Sequence, residues 1–83
     1  MKKQKLIMIV DDETDIRNTV KTVLEKNGYK VITAVNGDDC LKKIKGGDKP
    51  DLILMDIMMP GTPVKDIIPQ LGKIKVVYIS VVR

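Results

Sequence analysis

The chain has 83 residues, and this length allows one small domain that buries about 60 to 65% of the surface of its unfolded chain. Hydrophobic residues make up 43% and charged residues 31%, a balance that excludes collagen, low-complexity disorder and a disulfide scaffold. With no histidine and one cysteine, the sequence also excludes a structural zinc site and Ser-His or Cys-His catalysis.

The net charge is +4, from fifteen basic and eleven acidic residues. The lysines are scattered over all predicted elements and the only aromatic residues are two tyrosines, so a solvated lysine surface is favoured over direct nucleic-acid binding. The first ten residues contain the apolar run LIMIV, which is shorter than the core of a signal peptide, about 7 to 15 residues. We therefore expect a cytoplasmic protein with no membrane segment.

Four short apolar runs alternate with amphipathic segments, the pattern typical of βαβ units. The predicted strands are residues 6–10, 31–34, 52–55 and 76–79. Their apolar and partly β-branched composition indicates a parallel sheet that is covered on both faces.

The first predicted helix lies between the first two strands. Its apolar residues recur at helical spacing: Ile16, Val20, Val23 and Leu24. Thr14 or Asp12 can cap its start, and Gly28 is a C-terminal stop.

The second helix is short. Asn36 is the predicted N-cap with Asp39 three residues later, and Leu41 faces inward together with Ile44. Cys40 lies beside Leu41 and is interpreted as a small core residue. A Gly-Gly pair then ends the helix.

The third helix is predicted to start at Thr62 and Pro63, a cap followed by proline at the first helical position. Its apolar residues are Val64, Ile67, Ile68 and Leu71. Pro69 is expected to kink or shorten it.

Three aspartates follow two of the predicted strands. Asp11 and Asp12 come directly after the first strand, and Asp56 comes directly after the third. Strand-helix-strand crossovers are right-handed in about 98% of cases, so the placement of the elements follows once a strand order is assumed. If the second strand lies on one side of the first and the third on the other, the first and third strands are neighbours. Ligands of such sheets bind beyond the carboxyl ends of the strands at that point, so we expect the three carboxylates to converge on one crevice.

Convergent carboxylates need a cation, because two like charges about 4 Å apart near a protein surface repel by roughly 4 kcal/mol. Oxygen ligands with room for water suit Mg²⁺. An aspartate at such a site can also attack phosphorus and form an acyl phosphate. The sequence therefore predicts phosphoryl chemistry assisted by Mg²⁺.

The motifs LIMIVDDE, LILMDIMMPG and VVYIS resemble those of the response-regulator receiver family. The resemblance implies a flavodoxin-like three-layer α/β sandwich with a parallel sheet. It implies that Asp56 is the phosphoacceptor and that Asp11 and Asp12 hold Mg²⁺ together with the backbone carbonyl of Met58. Ser80 matches the hydroxyl that reorients toward the phosphoryl group, and Tyr78 lies near the usual aromatic switch position.

The same resemblance implies a non-enzymatic function. A receiver accepts a phosphoryl group from a histidine kinase or phosphotransfer protein and shifts between two conformations that a partner distinguishes. Whole receivers continue with a fourth helix, a fifth strand bearing an essential lysine, and a fifth helix. We therefore expect residues 1–83 to form a partial receiver domain with weak Mg²⁺ binding and poor phosphorylation at Asp56.

Two other function classes compete with this interpretation. The first is a truncated or engineered fragment that acts as a non-signalling scaffold and forms homo-oligomers through the fourth strand and an uncovered sheet face. The second is a haloacid-dehalogenase-like phosphatase. It is disfavoured because Glu13 stands where that family needs a second aspartate, two positions after the first.

Overall fold

A computed structural model describes residues 4–57 and 64–79, which form an α/β fold around a four-stranded parallel sheet. In chain order, the elements are β1 (Leu6–Val10), α1 (Thr14–Lys26), β2 (Lys30–Ala34), α2 (Gly37–Lys45), β3 (Leu52–Asp56), α3 (Val64–Ile67), a 3₁₀ helix (Ile68–Leu71) and β4 (Lys75–Ile79). The strand order is β2-β1-β3-β4. This order confirms the predicted α/β fold with β1 and β3 as neighbours.

The register of the sheet aligns the ends of its strands. Val10, the last residue of β1, pairs with Ala34 of β2 and with Met55 of β3. On the far side of β3, Asp56 pairs with Ile79 of β4. Because all four strands are parallel, their carboxyl ends lie at one edge, which we call the carboxyl edge.

One face of the sheet, which we call the covered face, packs against α2, α3 and the 3₁₀ helix. Its fully or nearly buried cluster contains Met8, Val10, Ala34, Cys40, Leu41, Ile53, Met55, Ile67 and Leu71. Side chains alternate between faces along a strand, so alternate positions of β1 and β3 supply this cluster. The core of the molecule therefore lies mainly on the covered face.

The opposite face, which we call the open face, packs against α1 over β1 and β2. Ile7 and Ile9 are buried there, and Val31 nearly so. Within α1, where every residue is described, no side chain is fully buried. Val77 of β4 also lies on this face and is 40% exposed. Coverage of the open face by the described residues therefore ends before β4.

The helix ends match the predictions only in part. The N-cap of α1 is Glu13, so the prediction of Thr14 or Asp12 as the cap is wrong. At α2, the Asn36 side chain accepts a hydrogen bond from the Asp39 amide at 2.8 Å, which confirms the predicted cap. Gly47 after α2 has a φ of 110°, a conformation that favours glycine.

The third helix is short, as predicted from its proline. α3 ends at Ile67, and the next turn, which contains Pro69, is a 3₁₀ helix. The predicted start at Thr62 and Pro63 lies outside the described residues. Among the described residues, no helix has the length and apolar character needed to cross a membrane.

Candidate functional site

Three aspartates meet at the carboxyl edge, and we call Asp11, Asp12 and Asp56 the acidic cluster. One carboxylate oxygen from each lies within 4.8 Å of the other two. Asp11 and Asp56 are fully buried, whereas Asp12 is exposed. Such a set of oxygen donors, buried on one side and open to solvent on the other, can hold a hard divalent cation and leave room for water.

Sheet register explains why these residues meet. Val10 pairs with Met55, so the next residues, Asp11 and Asp56, leave adjacent strands side by side. The Asp11 amide donates to the carbonyl oxygen of Ala34 at 3.2 Å, which continues the pairing with β2. Asp56 is the last residue of β3, one position inside the strand rather than after it as predicted.

A tight turn holds the first two aspartates. An Asp11 carboxylate oxygen, Oδ1, accepts a hydrogen bond from the Glu13 amide at 2.8 Å. This bond closes the turn between β1 and α1, and the Asp12 side chain remains at the surface. Asp11 therefore both shapes the turn and contributes to the acidic cluster.

Sequence reasoning missed the role of Arg17. Its Nη1 donates to the carbonyl oxygen of Asp11 at 2.7 Å, and its Nη2 donates to the Thr14 hydroxyl at 3.1 Å. The sequence signal was present, because Arg17 is one of two arginines and lies at the start of a helix that follows two aspartates. Only the folded main chain brings its guanidinium to the Asp11 carbonyl.

The turn after β2 lies at the same edge and is held by side chains of α2. An Asp39 carboxylate oxygen accepts from the Val35 amide at 3.0 Å. The Lys43 ammonium donates to the carbonyl of Thr33 and lies 3.5 Å from the Asp39 carboxylate. These contacts tie α2 to the carboxyl edge close to the end of β1.

The remaining predicted site residues have different outcomes. Met58 and Ser80 lie outside the described residues, so their predicted roles stay predictions. Tyr78 pairs with Met55 in the sheet and is 49% exposed. Cys40 is buried, as expected for a core residue. Its burial, with a smaller contribution from the charge of Asp39, raises the pKa of the thiol to about 11.

A parallel α/β sheet of this strand order, with three aspartates at its carboxyl edge, defines a protein of the flavodoxin-like class with an acidic site. Comparison with known proteins narrows the class. Residues 7–81 match the response regulator receiver domain family, and the chain belongs to that family. This membership confirms the resemblance found in the sequence motifs.

Curated relatives support the same assignment. The chain is 40% identical over 74 residues to the alkaline phosphatase synthesis transcriptional regulatory protein PhoP of Bacillus subtilis, a match covering 89% of this chain and 30% of that protein. It is 48% identical over 54 residues to protein PilG of Pseudomonas aeruginosa, covering 65% of this chain and 39% of that protein. The chain thus spans less than half the length of these relatives.

Solved structures share the fold. The chemotaxis response regulator CheY4 of Vibrio cholerae matches with a TM-score of 0.81 and 26% identity, over 92% of this chain and 68% of that one. The response regulator TrrA of Thermotoga maritima, solved in complex with Mg²⁺-BeF, matches with a TM-score of 0.75 and 38% identity, over 90% of this chain and 66% of that one. The flavodoxin-like arrangement of strands and helices is therefore shared with known receivers.

Proposed function

We propose that this chain is a phosphoacceptor of a two-component relay, in which Asp56 receives a phosphoryl group from a histidine kinase or phosphotransfer protein. The observation that supports the proposal most directly is the position of Asp56, fully buried at the end of β3 and within 4.8 Å of the other two carboxylates. A cytoplasmic location fits such a donor.

The donor set fits Mg²⁺. Asp11, Asp12 and Asp56 offer three carboxylate oxygens close together, and Mg²⁺ prefers carboxylates combined with water and phosphate oxygens. The family pattern adds the backbone carbonyl of Met58 to this set. When bound, the cation would supply positive charge that offsets the repulsion among the carboxylates and the charge of an incoming phosphoryl group.

The transfer forms one bond and breaks another. A carboxylate oxygen of Asp56 attacks phosphorus, and an acyl phosphate forms as the bond between phosphorus and the donor nitrogen breaks. The electron pair of the broken bond stays on the donor imidazole. The hydroxyl of Ser80 then donates a hydrogen bond to the phosphoryl group, and because this contact exists only after transfer it favours the second conformation.

The test is phosphorylation by acetyl phosphate with Mg²⁺, followed by intact mass. We expect slow and partial addition of one phosphoryl group, in line with the poor phosphorylation expected from the sequence, and this addition should require Mg²⁺ and be absent in Asp56→Asn. Asp48→Asn is the matched control, because it removes an exposed carboxylate that lies before the start of β3, whereas Asp56 lies at the end of that strand. Equal modification of the wild-type chain and Asp56→Asn would contradict the proposal.

We also propose that this chain forms homo-oligomers through β4 and the neighbouring part of the open face. β4 is the edge strand of the sheet among the described residues, and Val77 and Tyr78 are 40% and 49% exposed. An exposed apolar edge strand is a surface on which a second copy can pair. A scaffold without signalling activity would show this association but no modification of Asp56.

Sedimentation tests the association. We expect the wild-type chain to sediment as a dimer or larger species, and Val77→Lys to dissociate it because a buried unpaired charge is costly. Val35→Lys is the matched control, since Val35 is a similarly exposed valine, at 46%, after β2 at the opposite side of the sheet. A wild-type chain that is monomeric at high micromolar concentration would contradict this second proposal.

A further inference from the structure

We infer that Arg17 is a positioning residue of the acidic cluster, whose guanidinium holds the turn bearing Asp11 and Asp12 in the geometry that binds a divalent cation. The inference rests on the proposed function, because it concerns the same metal site. It adds a residue that is not itself a metal ligand.

The guanidinium bridges two parts of the turn. Nη1 donates to the Asp11 carbonyl at 2.7 Å and Nη2 donates to the Thr14 hydroxyl at 3.1 Å. The Arg17 amide donates to the Glu13 carbonyl at 3.1 Å in the first turn of α1. One side chain therefore links the end of β1 to the start of α1. The planar fork of arginine suits such a bridge, because its donors are fixed relative to one another.

The position of the accepting carbonyl determines which part of the turn the Arg17 guanidinium restrains. The carbonyl of Asp11 belongs to the peptide unit that joins Asp11 to Asp12, and that unit moves as a plane. A hydrogen bond to this carbonyl therefore limits rotation of the plane and, with it, the direction in which Asp12 leaves the turn. This restraint matters most for Asp12, because its side chain is exposed whereas that of Asp11 is buried.

If Arg17 acted only through its charge, its removal would change the metal affinity in the opposite direction. A guanidinium next to the acidic cluster repels a second cation, so removal of its charge should tighten metal binding if electrostatics were its whole role. Loss of the hydrogen-bonded bridge should weaken binding instead. The sign of the change in affinity therefore separates positioning from charge.

Two variants of the full chain use this difference. Arg17→Gln removes the charge and the fork, whereas Arg17→Lys keeps the charge but replaces the rigid fork with one ammonium nitrogen on a flexible stem. Lys26→Gln is the matched control, because it removes one positive charge from the last turn of the same helix, about 13 Å along its axis.

Mg²⁺ titration followed by amide NMR measures the affinity of each protein. We expect both Arg17 variants to bind Mg²⁺ about tenfold more weakly than the wild-type chain, the scale seen when supporting contacts of a metal site are lost. Lys26→Gln should bind as the wild-type chain does. In the metal-free proteins, hydrogen exchange at the Glu13 amide should be faster in both Arg17 variants, since its bond to Asp11 depends on the turn.

The outcomes separate the inference from the proposed function. If the wild-type chain shows no Mg²⁺-dependent shifts at the ends of β1 and β3, the proposed metal site fails and the inference fails with it. If the wild-type chain binds Mg²⁺ and Arg17→Gln binds equally or more tightly, the inference is wrong and the proposed function stands. If Arg17→Gln does not fold, the Mg²⁺ affinity of Arg17→Lys relative to the wild-type chain serves as the test.

Discussion

The two faces of the sheet differ in how completely the described residues cover them. On the covered face, α2, α3 and the 3₁₀ helix enclose a continuous cluster that includes Ile53 and Met55 of β3, both fully buried. On the open face, α1 lies over β1 and β2, and Val77 of β4 remains 40% exposed. The covered face is therefore packed over β1 and β3 and becomes exposed only near the end of β4, at Tyr78, whereas the open face is packed over about half its width.

Strand β3 contributes residues to both faces of the sheet. Its alternate residues, Ile53 and Met55, enter the covered-face cluster, whereas Leu54 and Asp56 alternate with them toward the other face. One strand thus supplies both the main core and the proposed phosphoacceptor. We conclude that fold stability comes mainly from the covered face, and that the carboxyl edge and the open face provide the surfaces available for function.

Truncation of a core residue tests this division with the largest expected effect. Met55→Ala removes a fully buried side chain and should lower the free energy of unfolding by about 2 to 5 kcal/mol. Val77→Ala removes a side chain that is already 40% exposed and should cost less than about 1 kcal/mol in the monomer. Urea unfolding of both variants at low protein concentration gives the comparison. Equal losses would show that the open face contributes as much as the covered face.

High pH should weaken the covered face through Cys40. Its pKa is raised from 9.0 to about 11 in the folded chain, so the folded thiol keeps its proton to higher pH than the unfolded one. The stability that this group contributes is therefore fully present below pH 9 and is lost between pH 9 and 11. The total loss is on the order of 3 kcal/mol.

Cys40→Ala isolates that contribution from the titration of lysines and tyrosines. The free energy of unfolding of the wild-type chain minus that of Cys40→Ala should decrease as pH rises through this interval and stay constant below it. A constant difference up to pH 11 would mean that the thiol titrates alike in both states.

The cap of α2 offers a smaller test on the covered side. Asn36→Ala removes the acceptor of the Asp39 amide and should destabilise the fold by about 1 kcal/mol. Asn27→Ala at the C-cap of α1 is the control, because its exposed side chain donates a hydrogen bond to the Val23 carbonyl within the same helix end. In thermal unfolding, the midpoint temperature of Asn36→Ala should be lower than that of Asn27→Ala. The reverse order would mean that the end of α1 contributes more to stability than the cap of α2.

Much of the fold could be predicted because the chemistry that specifies it is local. Short apolar runs, partly β-branched, predicted all four strands to within one residue at each end. Asn36 was correctly predicted as the N-cap of α2 from its residue type and position. The convergence of the three aspartates followed from the handedness of crossovers once a strand order was assumed, and the family resemblance supplied that order. The structure brings their oxygens within 4.8 Å of one another.

Two of the features that sequence reasoning missed depend on contacts between side chains and the main chain in the turn between β1 and α1. Glu13 is the N-cap of α1 because the carboxylate of Asp11 binds the Glu13 amide and fixes where the turn ends. Arg17 reaches a main-chain carbonyl six residues earlier. Its position after two aspartates was a sequence signal, but the contact itself depends on the folded turn. Val23 follows the apolar spacing of α1 but is 54% exposed.

Val23 therefore gives the smallest predicted effect and the sharpest test of how far the open face is packed. Val23→Ala loses little buried surface and gains helix propensity of up to about 0.7 kcal/mol, so the free energy of unfolding should stay nearly unchanged. Val31→Ala makes the same change on β2 beneath α1, where the side chain is only 9% exposed, and should cost about 2 kcal/mol. Urea unfolding of the two variants measures the difference directly. A loss at Val23 that matches the loss at Val31 would mean that this side of α1 packs against something in solution, and the open face would then be covered more widely than the described residues cover it.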